Sequence, residues 1–339
     1  MTPTDFAELH DDLRAVAADV LGRDRVVDWP TVIEAGWVGL EVPEALGGAG
    51  AGFAEVAVIC QELGRAAAPI PYLGSAVLAV GMLNSLADSE IRDGLLADVA
   101  GGRTRVAAVI GESFTLDADQ RLSGQAEFVP DADGADRLLV AATDASGADI
   151  AVLIDALHVT DKPVLDETRR VATVTAGGIE VPDAAVLRFT GRTADLEQRA
   201  AVAVACDSLG LAEAMLAATV SYAQTRQQFG RPIGSFQVVK HACADMLVKV
   251  TVARTLVRDA VNAVAANAFD GSGTDAAVAM AKSYTCAAAV DVVGKALQLH
   301  GGIGYTWESG IHVYLKRATF NRSLFGSPAA HRRRLAQRY

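Results

Sequence analysis

Apolar positions along the chain fall into three textures, and each predicts a different kind of element. Up to about residue 103 they recur at helical spacing between Gly-rich connections. Phe6 to Leu21 is amphipathic, Trp29 to Gly36 reads as a short helix after a turn, and Ala54 to Ala67 carries Val56, Ala57, Ile59, Cys60 and Leu63 on one stripe. From 104 to 190 the texture changes to short β-branched runs, Val106–Ile110, Arg137–Ala141 and Ile150–Ile154. Asp/Gly-rich turns such as 131–134 and 143–147 separate them, which predicts a small antiparallel β domain. From 191 to 339 the pattern is helical again. After Phe236 one stripe holds Val239, Ala242, Cys243, Met246, Val250, Ala253, Val257 and Ala260, while Asp275 to Leu299 is Ala/Val-rich on several faces. A helix apolar nearly all round must be surrounded by others, so this part predicts a four-helix bundle with a further oligomer contact. The expected fold is therefore mainly α: an N-terminal helical domain (1–103), a reduced β domain (104–190) and a C-terminal bundle (191–339).

The most membrane-like stretch, Ala200 to Val220, carries Asp207, Gly210 and Glu213, which marks it as a buried bundle helix. Composition narrows the picture further. The 339 residues are 51% hydrophobic and 21% charged, as expected of a globular protein. Thirty Lys+Arg against 41 Asp+Glu give a net charge of −11, which argues against a nucleic-acid partner. Cys60, Cys206, Cys243 and Cys286 sit singly in apolar helical patterns, so neither a metal site nor a disulfide framework is expected. The N-terminus has neither a basic region nor an apolar core, and a cytoplasmic protein is expected.

Three motifs carry chemistry. The first runs from Glu34 through Gly36, Gly39 and Gly47-Gly48-Ala49-Gly50 to Gln61-Glu62-Leu63-Gly64-Arg65; alone it is a helix stop, a turn and a new helix. The second is Thr225-Arg226-Gln227-Gln228-Phe229-Gly230, followed by Phe236-Gln237. A helix is expected to end at Phe229-Gly230, with an Arg in its last turn whose five donors suit a pyrophosphate, a helix-end ion pair being the lesser alternative. The third is Gln298-Leu299-His300-Gly301-Gly302-Ile303-Gly304-Tyr305, where a helix runs into glycines that admit close approach of a ligand.

In this order and at these separations the three motifs resemble those of the acyl-CoA dehydrogenase family along nearly the whole chain. The resemblance implies FAD, the three-part architecture already outlined, and removal of two hydrogens from an acyl-CoA, with a Glu taking the α proton and the flavin accepting the β hydride. It also implies that FAD lies at a subunit interface, the flavin on one subunit's β domain and the adenosine pyrophosphate on the neighbour's bundle. The neighbour's contributions fall on Arg226, Gln228, Phe229, Gln237, Gln298, Gly301 and Gly302. An electron-transferring flavoprotein is the acceptor that the family implies.

The departures are as informative. Where the family base stands, in a Tyr-Glu-Gly-Thr context, this chain has Leu324-Phe325-Gly326-Ser327; at the alternative position, on the first bundle helix, it has Ala200. Neither Phe325 nor Ala200 accepts a proton. The flavin-facing motifs are reduced to Gly111-Glu112-Ser113 and Phe128-Val129-Pro130, and proline offers neither an amide hydrogen nor a hydroxyl. The chain thus resembles the degenerate, non-catalytic subunit of the heterotetrameric dehydrogenases of actinobacterial steroid side-chain degradation, whose homologous partner is catalytic. Two other readings stay open: a self-sufficient dehydrogenase with Asp207 or Glu112 as a relocated base, and a flavin-free interaction protein.

Overall fold

The computed structural model describes residues 3–23, 26–111, 114–155, 157–266 and 273–337. Helices α1 (Pro3–Arg23), α2 (Trp29–Glu34) and α3 (Phe53–Ala66) open the chain. A π-helical segment, Leu73–Ala79, continues into α4 (Val80–Asn84), and α5 (Glu90–Ala100) follows. The strands of the central sheet are β1 (Val106–Val109), β2 (Phe114–Leu116), β3 (Arg121–Pro130), β4 (Arg137–Asp144), β5 (Asp149–Ile154), β6 (His158–Asp161), β7 (Val171–Glu180) and β8 (Val186–Arg188). Their order is β6-β7-β3-β2-β4-β5-β8, with β1 also on β4. The sheet is mixed rather than antiparallel throughout. β1 and β2 follow one another along one edge of β4, both parallel to it, while the other pairs are antiparallel.

Alternation decides which way each strand faces. Leu139 and Ala141 of β4 belong to the helical core, whereas Leu138, Val140 and Ala142 close the sheet's own core with Val152 and Val174. Buried on both faces, β4 reads as a continuous apolar run.

The bundle is built from α6 (Thr193–Thr225), α7 (Gln237–Ala265), α8 (Gly273–His300) and α9 (Ile311–Ser323), with α10 (Pro328–Ala336) against α8. The long apolar stretch of α6 is enclosed by α3, α7, α8 and α9. Two glycines set its distance from α3. A Cβ on Gly64 would stand 2.0 Å from the Asp207 carbonyl oxygen, and one on Gly210 would stand 1.9 Å from that of Gln61. Only bare backbone fits there, so Gly64 of the first motif serves helix packing.

Candidate functional site

The second and third motifs meet at the far end of the bundle. α6 stops at Thr225, earlier than the expected Phe229-Gly230, and Arg226 caps it in extended backbone. The chain then reverses through a short hairpin, β9 (Gln227–Gln228) on β10 (Arg231–Pro232). Phe229 and Gly230 at its tip have φ of +55° and +75°. A two-residue turn with both φ positive suits strand twist, and Ile233 closes the loop by donating its amide to the Arg226 carbonyl at 2.8 Å. Phe229 is 92% exposed and meets the Phe236 ring edge-on at 6.1 Å, while the Arg231 guanidinium lies over Phe236 at 4.2 Å.

α8 ends beside this hairpin. The His300 ring stacks on Tyr222, one turn before Arg226, with centroids 4.4 Å apart, and His300 Nδ1–H donates to the Ala296 carbonyl at 2.8 Å. Gly301, at φ +62°, follows immediately, and a Cβ on it or on Gly302 would meet nothing within 4 Å. Arg226, Gln228, Gln298, Gly301 and Gly302 are all exposed, as is Gln237 at the start of α7. Among the described residues Arg226 makes no ion pair, so the helix-end pair that the sequence also allowed does not form. The result is an open cradle of an uncompensated guanidinium, three carboxamides, an exposed aromatic ring and bare backbone. Chemically it suits an anion carrying a flat ring.

The expected base segment lies at the other end of α6. After Leu324, Phe325 and Gly326 turn the chain with φ of +53° and +98°, and the Ser327 hydroxyl accepts the Ala330 amide at the start of α10. The turn is clamped from below. Buried Lys282 donates to the carbonyls of Asn321 (2.9 Å) and Gly326 (3.0 Å), and His331 Nε2–H donates to that of Phe325 (3.0 Å). Burial, ahead of the nearby Lys282 and Arg334 charges, lowers the His331 pKa, while the bond to Phe325 opposes that shift. Phe325 faces a cavity of about 300 Å³ shared with Ile110, Glu127, Phe128, Glu197 and Phe320. Phe128 stands at φ +57° on a β3 bulge, and Pro130 ends that strand without a donor.

The structure brings Phe325 to this cavity but not Ala200, which is wholly buried. Glu197, one turn earlier on the same face of α6, reaches it instead, 3.9 Å from Arg334, and Glu127 pairs with Lys162 at 2.7 Å. Sequence reasoning missed both carboxylates; for Glu197 the signal was its i−3 relation to Ala200.

Asp207, by contrast, is sealed in the core. Its carboxylate accepts from Arg317 through both oxygens, from Arg169 at 2.9 Å and from Asn321 at 2.6 Å. Burial alone would raise its pKa, but Arg317 and then Arg169 hold it below the usual carboxylate range. A carboxylate bound by two guanidiniums and closed to solvent cannot take a substrate proton. Glu112 lies outside the described residues.

Residues 5–103 match the family described as acyl-CoA dehydrogenase, N-terminal domain, and 197–339 match its C-terminal domain. Among curated relatives, acyl-CoA dehydrogenase IpdE2 of Mycolicibacterium smegmatis is 33% identical over 324 residues, covering 95% of this chain and 91% of that protein. IpdE2 of Mycobacterium tuberculosis is 36% identical, covering 95% and 89%. Among solved structures, the ChsE4-ChsE5 complex from Mycobacterium tuberculosis superposes with a TM-score of 0.88 at 26% identity, over 97% of this chain and 96% of the matched one. A Tcur3481-Tcur3483 steroid ACAD variant gives 0.85 at 28%, over 98% and 97%.

Proposed function

This chain belongs to the acyl-CoA dehydrogenase family, oxidoreductases acting on CH–CH donors, and from that premise we propose that it is the non-catalytic member of a mixed assembly. In this reading it lends the adenosine-pyrophosphate half of an FAD site to a homologous catalytic subunit, in a heterotetramer. The substrate class is an acyl-CoA, with a steroid-derived side chain favoured by the steroid dehydrogenase among its structural neighbours. An electron-transferring flavoprotein completes the proposal as acceptor.

One observation carries it. Glu197, at the cavity, and Arg226, at the cradle, lie at opposite ends of α6, ~44 Å apart at 1.5 Å per residue. A dinucleotide held by the cradle is out of reach of the same chain's cavity, so the cradle serves a flavin whose reacting end lies on another subunit. The exposed donors fit such a group: Arg226 and Gln298 toward the pyrophosphate, Phe229 toward a ring, Gly301 and Gly302 for close approach. The Phe128–Pro130 edge does not fit the flavin end, since Pro130 has neither amide hydrogen nor hydroxyl. FAD, when bound, supplies the hydride acceptor; this chain positions it and contributes no base.

The test is single-turnover bleaching of flavin by substrate, with and without the catalytic partner. The chain alone should not bleach, because a missing general base costs about 10²–10⁴-fold. In the assembly Phe325→Ala should leave turnover intact, while removal of the partner's carboxylate should abolish it. Rapid bleaching by this chain alone would overturn the proposal. Glu197 supports a second reading, a relocated base in a self-sufficient enzyme, and Glu197→Gln would then abolish that bleaching.

A further inference from the structure

A cavity of about 600 Å³ belongs to neither the cradle nor the Phe325 pocket. It opens between α1, α3, α6 and α7, and its chemistry is layered. The floor is apolar, made by Ala57, Val58, Leu209, Val257 and Val261, all nine-tenths or more buried. The rim is cationic: Arg14, Arg65, Arg254 and Arg258 line it, with His10, against a single lining carboxylate, Glu213.

Glu213 is buried and acts as an anchor for the guanidiniums. Its Oε2 accepts from Arg65 and from Gln61 (2.8 Å), and its Oε1 accepts from the Arg254 Nε–H. Arg65 spends a further donor on Glu62 at 3.0 Å. Arg254 is held through Nε alone, so among the described residues its two terminal nitrogens have no acceptor. A guanidinium fixed at one corner presents its remaining fork already oriented, the geometry that a carboxylate matches with two parallel bonds. The other rim charges do not cancel this field. Arg14 pairs with Asp11 and Arg258 with Asp259, but both acids are more than half exposed and such pairs are strongly screened. Thr251 and Thr255 add hydroxyls beside Arg254. An apolar floor with a few convergent polar groups, at drug-sized volume, is the usual form of a small-molecule site.

We propose that this cavity binds a monocarboxylate with an apolar body of about eight to twelve carbons, its carboxylate on the Arg254 fork and its body on the Val257–Leu209 floor. Such a ligand would tie α1 to α7 at the edge of the bundle. The site needs neither flavin nor a partner subunit, so its fate is separate from that of the proposed dehydrogenase role.

The experiment is calorimetric titration of the full chain with octanoate and with 2-naphthoate, against octan-1-ol and octylamine as bodies without the anion. A carboxylate should bind saturably at one site, about tenfold or more tighter than the alcohol or the amine. The tighter of octanoate and naphthoate tells whether the natural ligand is an acyl chain or a ring acid. Arg254→Gln should weaken binding by a similar factor, and half-exposed Arg254 can be replaced without opening the core. Thr255→Trp, at the exposed rim, should block the mouth while leaving the melting curve unchanged. Equal affinity for octanoate and octanol, an unchanged constant in Arg254→Gln, or no saturable binding up to about 10 mM would overturn the proposal.

Discussion

Two groups of guanidinium sit along α6, and their surroundings are opposite. Arg317 and Arg169 lie in the core against Asp207. Arg317 also donates to the Ala68 carbonyl (2.8 Å) and the Thr168 hydroxyl (3.0 Å), which joins the N-terminal helices, the β6–β7 loop and the bundle at one point. Arg226 stands in solvent at the end of the same helix, its side-chain donors unspent among the described residues. Both are Arg beside a helix, and both are what a sequence reader marks as charge in an apolar context. The hydrogen-bond partners separate them. A guanidinium tied to a buried carboxylate holds the fold together; one left in solvent with spare donors is available to a ligand.

The sharpest way to break this comparison is at Asp207. Asp207→Asn removes the carboxylate charge that Arg317 and Arg169 bond to, so urea unfolding should show a loss of about 3–5 kcal/mol. The double change Asp207→Leu with Arg317→Met should recover a large part of that, because replacing a buried ion pair by apolar groups is often near neutral. If Asp207→Asn instead unfolds like the wild type while abolishing substrate-dependent bleaching in the assembly, Asp207 is a chemical group and the division fails.

A second carboxylate in the same seam sharpens the comparison through pH. Asp131, just past β3 at φ +58°, accepts the Gly74 amide at 2.7 Å and so caps the π-helical segment. Burial, only partly offset by the Gly74 bond and then by Arg169, Arg105 and Arg317, raises its pKa to about 6. A carboxyl raised above its unfolded value of 3.8 favours folding when neutral, so its contribution is lost as pH climbs from about 4 to about 6. At about 1.4 kcal/mol per pH unit, the rise from 3.8 to about 6 corresponds to about 3 kcal/mol. Asp131→Asn keeps an acceptor for Gly74, tolerates the left-handed backbone and does not titrate. Its stability relative to wild type should therefore rise from near zero at pH 4 to about 3 kcal/mol at pH 7. A flat difference across that range would show that Asp131 is already relieved. Asp207 has the opposite sign, since its depressed pKa gives stability that disappears in acid.

What was legible follows the range of each interaction. Helix and strand textures survive in the sequence because periods of 3.6 and 2 are local, and α3, α7 and β4 fall where the pattern puts them. The Leu73–Ala79 segment is apolar at nearly every position, so it has no period to read, and its cap comes from Asp131 across the chain. The parallel pairing of β1 and β2 with β4 is a matter of topology that short apolar runs do not encode. At α6 the helix stops at Thr225 because Arg226 is already extended, and the hairpin that follows turns left-handed at Phe229 and Gly230, a choice visible for the glycine and hidden for the phenylalanine. Arg226, Gln298 and the 301–302 glycines could be picked out together because they cluster in two short motifs, which the Tyr222–His300 stack brings to one end of the bundle. The role of Asp207 was not, because Arg169 and Arg317 are remote in sequence and meet it only in the fold.

The cradle itself gives the smallest effect and the cleanest one. Arg226 is exposed, caps α6 through backbone alone and makes no ion pair among the described residues, so Arg226→Ala should leave the unfolding curve within about 0.5 kcal/mol of wild type. Flavin retention by the assembled complex should fall all the same, since a charge-assisted contact to an anion contributes roughly 1.5–3 kcal/mol, or about 10–150-fold in affinity. Arg226→Lys restores the charge but not the planar fork, so it should recover only part of the loss. The readout is flavin absorbance remaining on the complex after gel filtration, with urea unfolding of the same preparations as control. Stability and retention falling together would place Arg226 with the buried charges. Retention unchanged in the alanine variant would remove the cradle from the cofactor site, and with it the argument that this chain completes a partner's flavin.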